Sequence, residues 1–234
     1  MHDSLAPDQL YITVDLLIMT VHDGRLNLLL SRRGNAPYQG CWALPGRFVG
    51  MTESAEKTAK ILLDHMLPLE GAYLEQLYTF TDVGRDPRGR VISTAYLVIA
   101  PWSTVEKALP GKTSFRCFRA KLKDGEPELR DGWEILTAGD LAFDHGKIIA
   151  TGLNRLQGKI DYTDIGFFFL EDREAFSLSE LQTVYEAVLG TPLDGSNFRR
   201  SIMARYERNG RLEQTERAER RDRGRPAALY RIRL

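Results

Sequence analysis

Two stretches of the chain differ in how their hydrophobic and polar positions are arranged. Up to residue 157, short apolar runs rich in β-branched residues alternate with polar turns, which is typical of strands. Strands are predicted at 11–20, 25–31, 42–44, 48–49, 78–83, 91–99 and 115–121. Helices are predicted at about 53–67 and 143–156. Mixed strands with a helix on each side indicate the α/β class and an α/β/α sandwich.

From residue 158 onward, helices predominate. An apolar run at 165–170 predicts one more strand. Ser177 and Glu180 then form a capping box, and apolar residues recur behind it at helical spacing, which predicts a helix at 178–189. A short turn with glycine leads to a second helix at 196–209, so the pair is a helix-turn-helix.

The end of the chain predicts a wing. Segments 212–215 and 228–234 favour two strands around a basic tip, which completes a winged helix-turn-helix domain. We therefore divide the chain into a first domain at 1–157 and a winged helix-turn-helix DNA-binding domain at 158–234.

The composition is that of an ordinary globular protein, with 43% hydrophobic and 27% charged residues. No apolar run approaches the ~20 residues that span a bilayer, and the N-terminus lacks the basic, then apolar, pattern of a signal peptide. Cys41 and Cys117 give neither a disulfide framework nor a zinc pattern. These features predict a cytoplasmic protein with no membrane partner.

Charge is unevenly distributed along the chain. The net charge is zero, yet residues 195–234 hold twelve arginines, no lysine and five acidic residues, a net charge of +7. A basic end of this kind favours a polyanionic partner such as double-stranded DNA. A solvated, charged tail is the simpler alternative.

The second predicted helix has one face suited to a protein core and an opposite face suited to a major groove. Its polar face and the basic tip supply the candidate DNA-binding residues Asn197, Arg199, Arg200, Ser201, Arg205, Arg223 and Arg225. Arginine can bridge guanine O6 and N7, asparagine can read adenine, and guanidinium groups suit phosphates and narrow minor grooves. Arg199 falls nearer the core side, where it either braces the fold or contacts a phosphate. An ordinary amphipathic surface helix is the alternative.

A motif with chemical meaning lies at Leu44-Pro45-Gly46-Arg47-Phe48-Val49 and in the helix predicted after it. It resembles the start of a Nudix box, which hydrolyses nucleoside diphosphates linked to another group. Supporting strings lie at 31–38, 42–46, 85–89 and 142–145, and the resemblance covers roughly residues 11–156. The family has a glycine where Arg47 stands, then a glutamate, kept here as Glu53, and then Arg-Glu-x-x-Glu-Glu on a helix.

The paired carboxylates of that motif are missing. Ile61-Leu62 and His65-Met66 stand at their positions. Splitting a diphosphate needs divalent cations, and Mg²⁺ prefers carboxylate oxygen and water. Leu62 and Met66, four residues apart on one helix face, offer a hydrocarbon and a thioether instead, while His65 suits softer metals. We therefore predict no catalytic residues, no metal site and no cofactor.

The second half of the chain carries a more specific resemblance. The strings FSLSELQTVYEAVLG at 176–190, NFRR at 197–200 and GRPAALY at 224–230 resemble the winged-helix domain of the Nudix-related transcriptional regulators (NrtR-like). In that family the Nudix domain senses a nucleotide, typically ADP-ribose, and the winged helix binds a palindromic operator as a homodimer. Typical targets are genes of NAD biosynthesis and recycling, and some relatives respond to sugars such as arabinose.

This resemblance implies a ligand-responsive transcriptional repressor of NAD metabolism, or of a related nucleotide or sugar pathway. A sensor must bind its ligand without destroying it, which accounts for the degenerate Nudix box. Without metal ions, side chains must compensate the diphosphate of an effector such as ADP-ribose. The candidate ligand-binding residues are Arg33, Arg47, Phe48, Arg85 and Arg88. Surface ion pairs are the simpler interpretation of each arginine alone.

Two other functions stay open at this point. The first is an active Nudix pyrophosphohydrolase of ADP-ribose-like substrates with an accessory nucleic-acid-binding module. The second is a DNA-binding protein whose Nudix domain is purely structural and which responds to a partner rather than to a small molecule.

Overall fold

The computed structural model describes residues 9–66, 71–109, 111–219 and 227–234. Within them, the first sheet contains β1 (Leu10–His22), β2 (Arg25–Arg32), β3 (Trp42–Ala43), β4 (Gly46–Phe48), β5 (Tyr73–Phe80), β6 (Arg90–Ile99), β7 (Phe115–Lys123), β8 (Glu126–Asp131) and β9 (Glu134–Leu136). Its helices are α1 (Ala55–Met66), α2 (Trp102–Ala108) and α3 (His145–Lys159). The second sheet contains β10 (Phe176–Ser177), β11 (Leu212–Glu219) and β12 (Ala227–Ile232), with helices α4 (Leu178–Leu189) and α5 (Gly195–Ile202). None of the helices described there is long and apolar enough to cross a membrane.

Strand β1 organises the first sheet because its apolar residues are buried on both faces. Leu16, Leu17 and Ile18 are consecutive and almost fully buried, as expected of a strand with helices on either side. It pairs in parallel with β6 and antiparallel with β2 and β4. The strand order is β5-β6-β1-β2-β7-β8-β9, and β3 pairs with β2.

Helices cover both faces of this sheet. On one face, Leu62 of α1 and Val105 of α2 pack in a core with Leu16. On the other face, Leu153 of α3 packs in a core with Leu17, since neighbouring residues of a strand point to opposite faces. The predicted α/β/α sandwich is confirmed.

The rest of the chain forms the predicted winged helix. Strand β12 pairs with both β10 and β11, and α4 and α5 pack against this small sheet. Its buried residues Phe198 and Tyr206 belong to the same continuous core as Leu153 of α3. Helix α3 runs to Lys159, so the proposed division at 157/158 falls in its last turn. The exact domain boundary stays a prediction.

The predicted strand at 165–170 is wrong. Ile165–Phe169 forms a 3₁₀ segment instead. The buried ring of Phe167 lies edge-on against both Phe176 and Tyr206, so the segment is surrounded by core. A short apolar run that is buried on all sides has no periodicity that separates a helix from a strand.

Other differences concern elements with weak patterns. Helix α2 and strands β8 and β9 are absent from the sequence prediction, and β5 begins at Tyr73 rather than at residue 78. The predicted helix at 196–209 is α-helical only to Ile202. It continues as a π-helical turn at Met203–Glu207. We call α5 and this turn together the recognition helix.

The predicted capping box fixes the start of α4. The Ser177 hydroxyl accepts a hydrogen bond from the Glu180 backbone N–H at 3.2 Å, and the Glu180 carboxylate accepts one from the Ser177 N–H at 2.6 Å. At the other end, Gly190 has a φ of 72°, a left-handed conformation that favours glycine. Both ends of α4 are therefore set by the local sequence.

Substituting Ser177→Ala should lower the free energy of unfolding by about 1 kcal/mol, because it removes the acceptor of this cap. Urea denaturation followed by circular dichroism measures the change. The matched control is Ser179→Ala, an exposed serine in the same turn that is outside the box. It should change the unfolding free energy by less than about 0.5 kcal/mol. Equal stabilities of the two variants would show that the box contributes nothing.

Candidate functional site

A pocket of about 140 Å³ opens at one end of the first sheet. It is lined by all five predicted ligand-binding residues, Arg33, Arg47, Phe48, Arg85 and Arg88. The fold brings them together because β4 pairs with the first half of β1, while the loops after β2 and before β6 reach the same end of the sheet. Their role in binding a ligand stays a prediction.

Two phenylalanine rings and two guanidinium groups form the walls of this pocket. The Arg88 guanidinium lies 5.2 Å from the centre of the Phe48 ring and 5.5 Å from that of Phe143. The Arg33 guanidinium lies 4.5 Å from the Phe143 ring. Phe143, predicted as the start of a helix, instead has a φ of 54°, which is unfavourable for a bulky residue. Strain of this kind persists where the surrounding structure requires one side-chain position.

A buried network of charges forms the floor of the pocket. Arg85 donates two hydrogen bonds to the Asp144 carboxylate, at 2.9 and 2.6 Å, and its guanidinium lies 3.6 Å from Asp15. The Ser93 hydroxyl donates to the same Asp15 carboxylate. Only 3% of the Arg85 side chain is exposed. Removing one partner would leave an uncompensated buried charge, so the network fixes the geometry of the floor.

His145 links this network to the Leu-Pro-Gly segment. Its Nδ1 accepts a hydrogen bond from the Leu44 N–H at 2.8 Å, and its Nε2 lies 3.6 Å from an Asp15 oxygen. Burial lowers the pKa of His145, although Asp15 acts in the opposite direction. Asp15 and His145 are absent from the predicted site residues. The available signal for Asp15 is a lone carboxylate within the apolar run of β1.

Arg47, which stands at the family's glycine position, pairs with the retained glutamate of the Nudix box. Its guanidinium lies 3.1 Å from a carboxylate oxygen of Glu53. The same oxygen accepts a hydrogen bond from the Thr58 hydroxyl at 2.8 Å. The Thr58 bond, with the Gly50 amide and Arg47, lowers the pKa of Glu53. Glu53 is thus kept ionised, and its charge is compensated by a cation of the chain itself.

The remaining Nudix-box positions do not fit the divalent-cation site that the Nudix resemblance implies. Leu62 is 5% exposed and packs in the core under α1, whereas His65 is exposed. Glu56 pairs with Lys60 at 2.6 Å on the surface of the same helix. Among the described residues, no group of three or more His, Cys, Asp or Glu side chains is arranged to hold a metal ion.

A larger cavity, of about 520 Å³, lies between the β1–β2 hairpin, strands β7 and β8, and the end of α4. None of the five predicted ligand-binding residues lines it. The larger cavity is therefore not the one that contains the predicted ligand-binding residues. We take the smaller pocket as the candidate site because it collects the convergent charged groups and aromatic rings that orient a ligand.

In the winged helix, Asn197, Arg200 and Ser201 lie on the exposed face of the recognition helix. The Arg200 guanidinium donates a hydrogen bond to the Asn197 side chain, so the two groups are held side by side. The predicted tip residues Arg223 and Arg225 lie outside the described residues.

Two other candidate DNA-binding residues have partners within the chain. Arg199 donates to the Tyr230 hydroxyl of β12 at 2.9 Å and lies over its ring. Arg205 donates to the backbone carbonyl of Asp161, which follows α3. These contacts tie the recognition helix to the wing on one side and to the segment that follows α3 on the other.

Comparison with known proteins identifies the family of the chain. Residues 166–232 match the family model described as the NrtR DNA-binding winged helix domain. Over 229 residues the chain is 31% identical to the ADPR responsive transcriptional repressor NtrR of Acinetobacter baylyi, a match that covers 95% of this chain and 82% of that protein. The chain belongs to the NrtR family. The resemblance predicted from the sequence is thereby confirmed.

Two further relatives, an NrtR protein of known structure and a Nudix enzyme, match different lengths of this chain. The crystal structure of Shewanella oneidensis NrtR complexed with a 27mer DNA is 32% identical, with a TM-score of 0.75 over 95% of this chain and 93% of that one. An ADP-ribose pyrophosphatase of Methanocaldococcus jannaschii is 29% identical over 123 residues, 52% of this chain and 63% of the enzyme. The Acinetobacter and Shewanella proteins thus match along nearly the whole chain, whereas the Methanocaldococcus enzyme matches about half of it.

The free energy of unfolding of this NrtR-family protein should decrease as the pH is lowered from about 7 to about 5. Unfolded histidine takes up a proton near pH 6.5, whereas the lowered pKa of His145 keeps the folded ring neutral there. His145 therefore contributes stability above that pH, and the contribution is lost on acidification. In His145→Asn, the amide oxygen can still accept the Leu44 hydrogen bond. This variant should reduce the slope of unfolding free energy against pH by up to ~1.4 kcal/mol per pH unit.

Urea denaturation at several pH values within that range measures the slope. His65→Asn, which replaces an exposed histidine of α1, serves as the control and should keep the wild-type slope. If His145→Asn also keeps it, another group governs the pH dependence.

Proposed function

We propose that this protein is a ligand-responsive transcriptional repressor. Residues 158–234 bind a DNA operator, and residues 1–157 sense ADP-ribose or a similar nucleotide. The observation that carries this proposal is the pocket at the end of the first sheet, where four arginines and two aromatic rings converge in a domain fused to a winged helix. The names of the Acinetobacter and Shewanella relatives, a repressor and a DNA complex, support it.

The charges in the pocket favour an anionic ligand. Four arginines line the pocket, and burial together with repulsion from Arg88 lowers the pKa of Arg33. Asp86, which pairs with Arg88 at 2.7 Å, and Asp15 act on that pKa in the opposite direction. A diphosphate would relieve that repulsion through charge-assisted hydrogen bonds, which arginine forms with particular strength. Phe48 and Phe143 offer ring faces for a ribose or a base. ADP-ribose is the first candidate because the Acinetobacter relative is named as responsive to it.

We further propose that the first domain binds its ligand without hydrolysing it. Arg47 forms an ion pair with Glu53, the glutamate that remains of the Nudix box. Leu62 packs into the core at a position where the family has a carboxylate. A glutamate at that position would be buried among apolar side chains at considerable cost. The alternative is an active pyrophosphohydrolase with an accessory nucleic-acid-binding module. It is favoured by the similarity to the Methanocaldococcus enzyme.

DNA recognition is proposed to use the exposed face of the recognition helix and the basic tip of the wing. The proposed contacts are Asn197, Arg199, Arg200, Ser201, Arg205, Arg223 and Arg225. Arg200 and Asn197 lie side by side and suit base edges in the major groove. Arg199 and Arg205, which have partners within the chain, suit positioning and phosphate contacts. A homodimer on a palindromic operator, acting in the cytoplasm on genes of NAD or related metabolism, completes the proposal.

The deciding experiment is a mobility-shift assay with the DNA upstream of the protein's own operon, with and without ADP-ribose. We expect specific binding that ADP-ribose weakens, and we expect ADP-ribose to be recovered intact after incubation with protein and Mg²⁺ or Mn²⁺. Binding that ignores ADP-ribose would contradict the proposed ligand. Turnover without specific DNA binding would establish the hydrolase instead.

Arg33→Ala should weaken ADP-ribose binding by about 10- to 100-fold, since a hydrogen bond to a charged group contributes roughly 1.5–3 kcal/mol. Isothermal titration calorimetry measures the affinity. Arg32→Ala is the matched control, because its guanidinium donates to the Gly40 carbonyl outside the pocket. That variant should bind as the wild type does. Equal affinities of the two variants would remove Arg33 from the site.

Arg200→Ala should weaken operator binding by ~1–3 kcal/mol and relax sequence preference if the side chain reads a base. Fluorescence anisotropy with operator and with random DNA separates these effects. Arg231→Ala, which breaks a pair with Glu213 in the wing strands, controls for lost charge in the same domain. An equal loss on operator and random DNA would assign Arg200 to a phosphate.

A further inference from the structure

Helix α3 joins the candidate pocket to the recognition helix. It begins at His145 in the floor of the pocket and ends at Lys159. At a rise of 1.5 Å per residue, it spans about 22 Å. Both of its ends are held by specific polar contacts, and these contacts belong to the two sites that a regulator has to connect.

At the pocket end, a bound ligand can act on Phe143 and Asp144, the two residues before α3. Asp144 occupies the N-cap position, yet its carboxylate makes no capping hydrogen bond and is held by Arg85 instead. Phe143 places its ring in the pocket from a strained backbone conformation. A phosphate that binds Arg85 competes with Asp144, and a ring or sugar that packs on Phe143 presses on the next residue. Either contact acts on the first turn of α3.

At the other end, residues 161–164 are fastened to the last turn of α3. The backbone N–H groups of Tyr162 and Thr163 both donate to the Lys159 carbonyl, each at 3.1 Å. The Thr163 hydroxyl donates to the same carbonyl at 2.9 Å. A displacement of the helix end therefore moves this segment with it.

The recognition helix is held on that segment. The contacts run from Arg205 to the Asp161 carbonyl, from the Tyr206 hydroxyl to the Thr163 carbonyl at 3.1 Å, and from Arg211 to the Asp164 carboxylate at 2.7 Å. Tyr206 is almost fully buried, and its ring packs edge-on against Phe167. All of these contacts come from the π-helical turn or from the residues just after it.

Close packing limits how α3 can respond. A Cβ added at Gly152 would collide with Leu17 of β1, and one added at Gly146 would collide with Ala138. The helix backbone thus lies directly on its neighbours at these two positions in its first half, whereas a Cβ at Gly158, near its end, would meet open space. Sliding or rotation of the helix as a unit is the motion that such packing permits.

We propose that α3 couples effector binding to DNA binding. Phosphate groups in the pocket draw Arg85 away from Asp144, and α3 carries the resulting displacement to residues 161–164. Tyr206, Arg211 and Arg205 then shift the recognition helix against the operator. This coupling rests on the proposed function, because it assumes an anionic effector and an operator.

Two variants interrupt the route without entering the pocket or the DNA-binding face. Tyr206→Phe keeps the ring and removes the hydroxyl that bonds Thr163. Asp164→Asn removes the charge that pairs with Arg211. The measured quantity is the coupling ratio, defined as the operator Kd with saturating ADP-ribose divided by the operator Kd without it. Ratios of about 5- to 150-fold are usual for allosteric proteins. We expect each variant to lower the wild-type ratio at least about threefold, while ADP-ribose binds the DNA-free protein as before.

The control is Glu213→Gln. It weakens the ion pairs of the Glu213 carboxylate with Arg231 and Arg233 in the same domain, and it leaves unchanged the side chains of Arg205, Tyr206 and Arg211. Its coupling ratio should match the wild type. Because linkage is reciprocal, the operator should change the ADP-ribose Kd by the same ratio in every variant.

Hydrogen exchange on the unmodified protein gives an independent test that does not depend on the variants folding. ADP-ribose should change the exchange rates of the amides of Tyr162, Thr163 and Arg211, the last of which donates to the Tyr206 carbonyl at 2.9 Å. Unchanged rates there would overturn the proposal, as would variants that keep the full wild-type ratio. A wild-type protein that binds its operator but ignores ADP-ribose would instead overturn the proposed function, and the coupling with it.

Discussion

The buried ion pair between Arg85 and Asp144 is the interaction on which the candidate site depends. It joins three parts of the chain that are distant in sequence: the turn before β6, strand β1 through Asp15, and the start of α3. Breaking a buried pair by removing one partner costs roughly 3–5 kcal/mol, far more than losing a surface pair. Phe143 and His145 flank Asp144, so their positions in the pocket follow from the same contact.

The second constraint is the kind of charged group that can reach a diphosphate in the pocket. A Nudix hydrolase gathers carboxylates around divalent cations, which both bind the diphosphate and activate water. This chain presents fixed guanidinium groups to the same end of the sheet, and Arg47 neutralises the glutamate that remains. A guanidinium can bind a phosphate strongly, but it has no open coordination position on which to lower the pKa of a water molecule. A set of guanidinium groups can therefore bind a diphosphate without activating water.

The sequence predicts those parts of this structure that depend on local patterns. The capping box at Ser177 and the helices around the turn follow from short-range spacing, and the arginines of the pocket follow from motif strings. Asp15, by contrast, becomes a site residue only through the parallel pairing of β1 with β6, which places Ser93 beside it. An apolar strand gives no sign of that neighbour. The left-handed backbone at Phe143 is likewise set by tertiary contacts and has no local signal.

The recognition helix shows the same limit and what it means for regulation. Helical spacing predicts which of its residues are exposed, but it does not identify Tyr230 and Asp161 as the partners of Arg199 and Arg205, 31 and 44 residues away. The Arg205 contact, together with one continuous core, restrains the winged helix against α3. A response to a ligand must then change discrete contacts within a packed interface. The π-helical turn at Met203–Glu207 lies where those contacts meet the helix, and such turns occur frequently at functional sites. An irregular turn can change its conformation locally while α5 stays helical. A small displacement of the turn can therefore shift α5, with its DNA-binding face, without unwinding it.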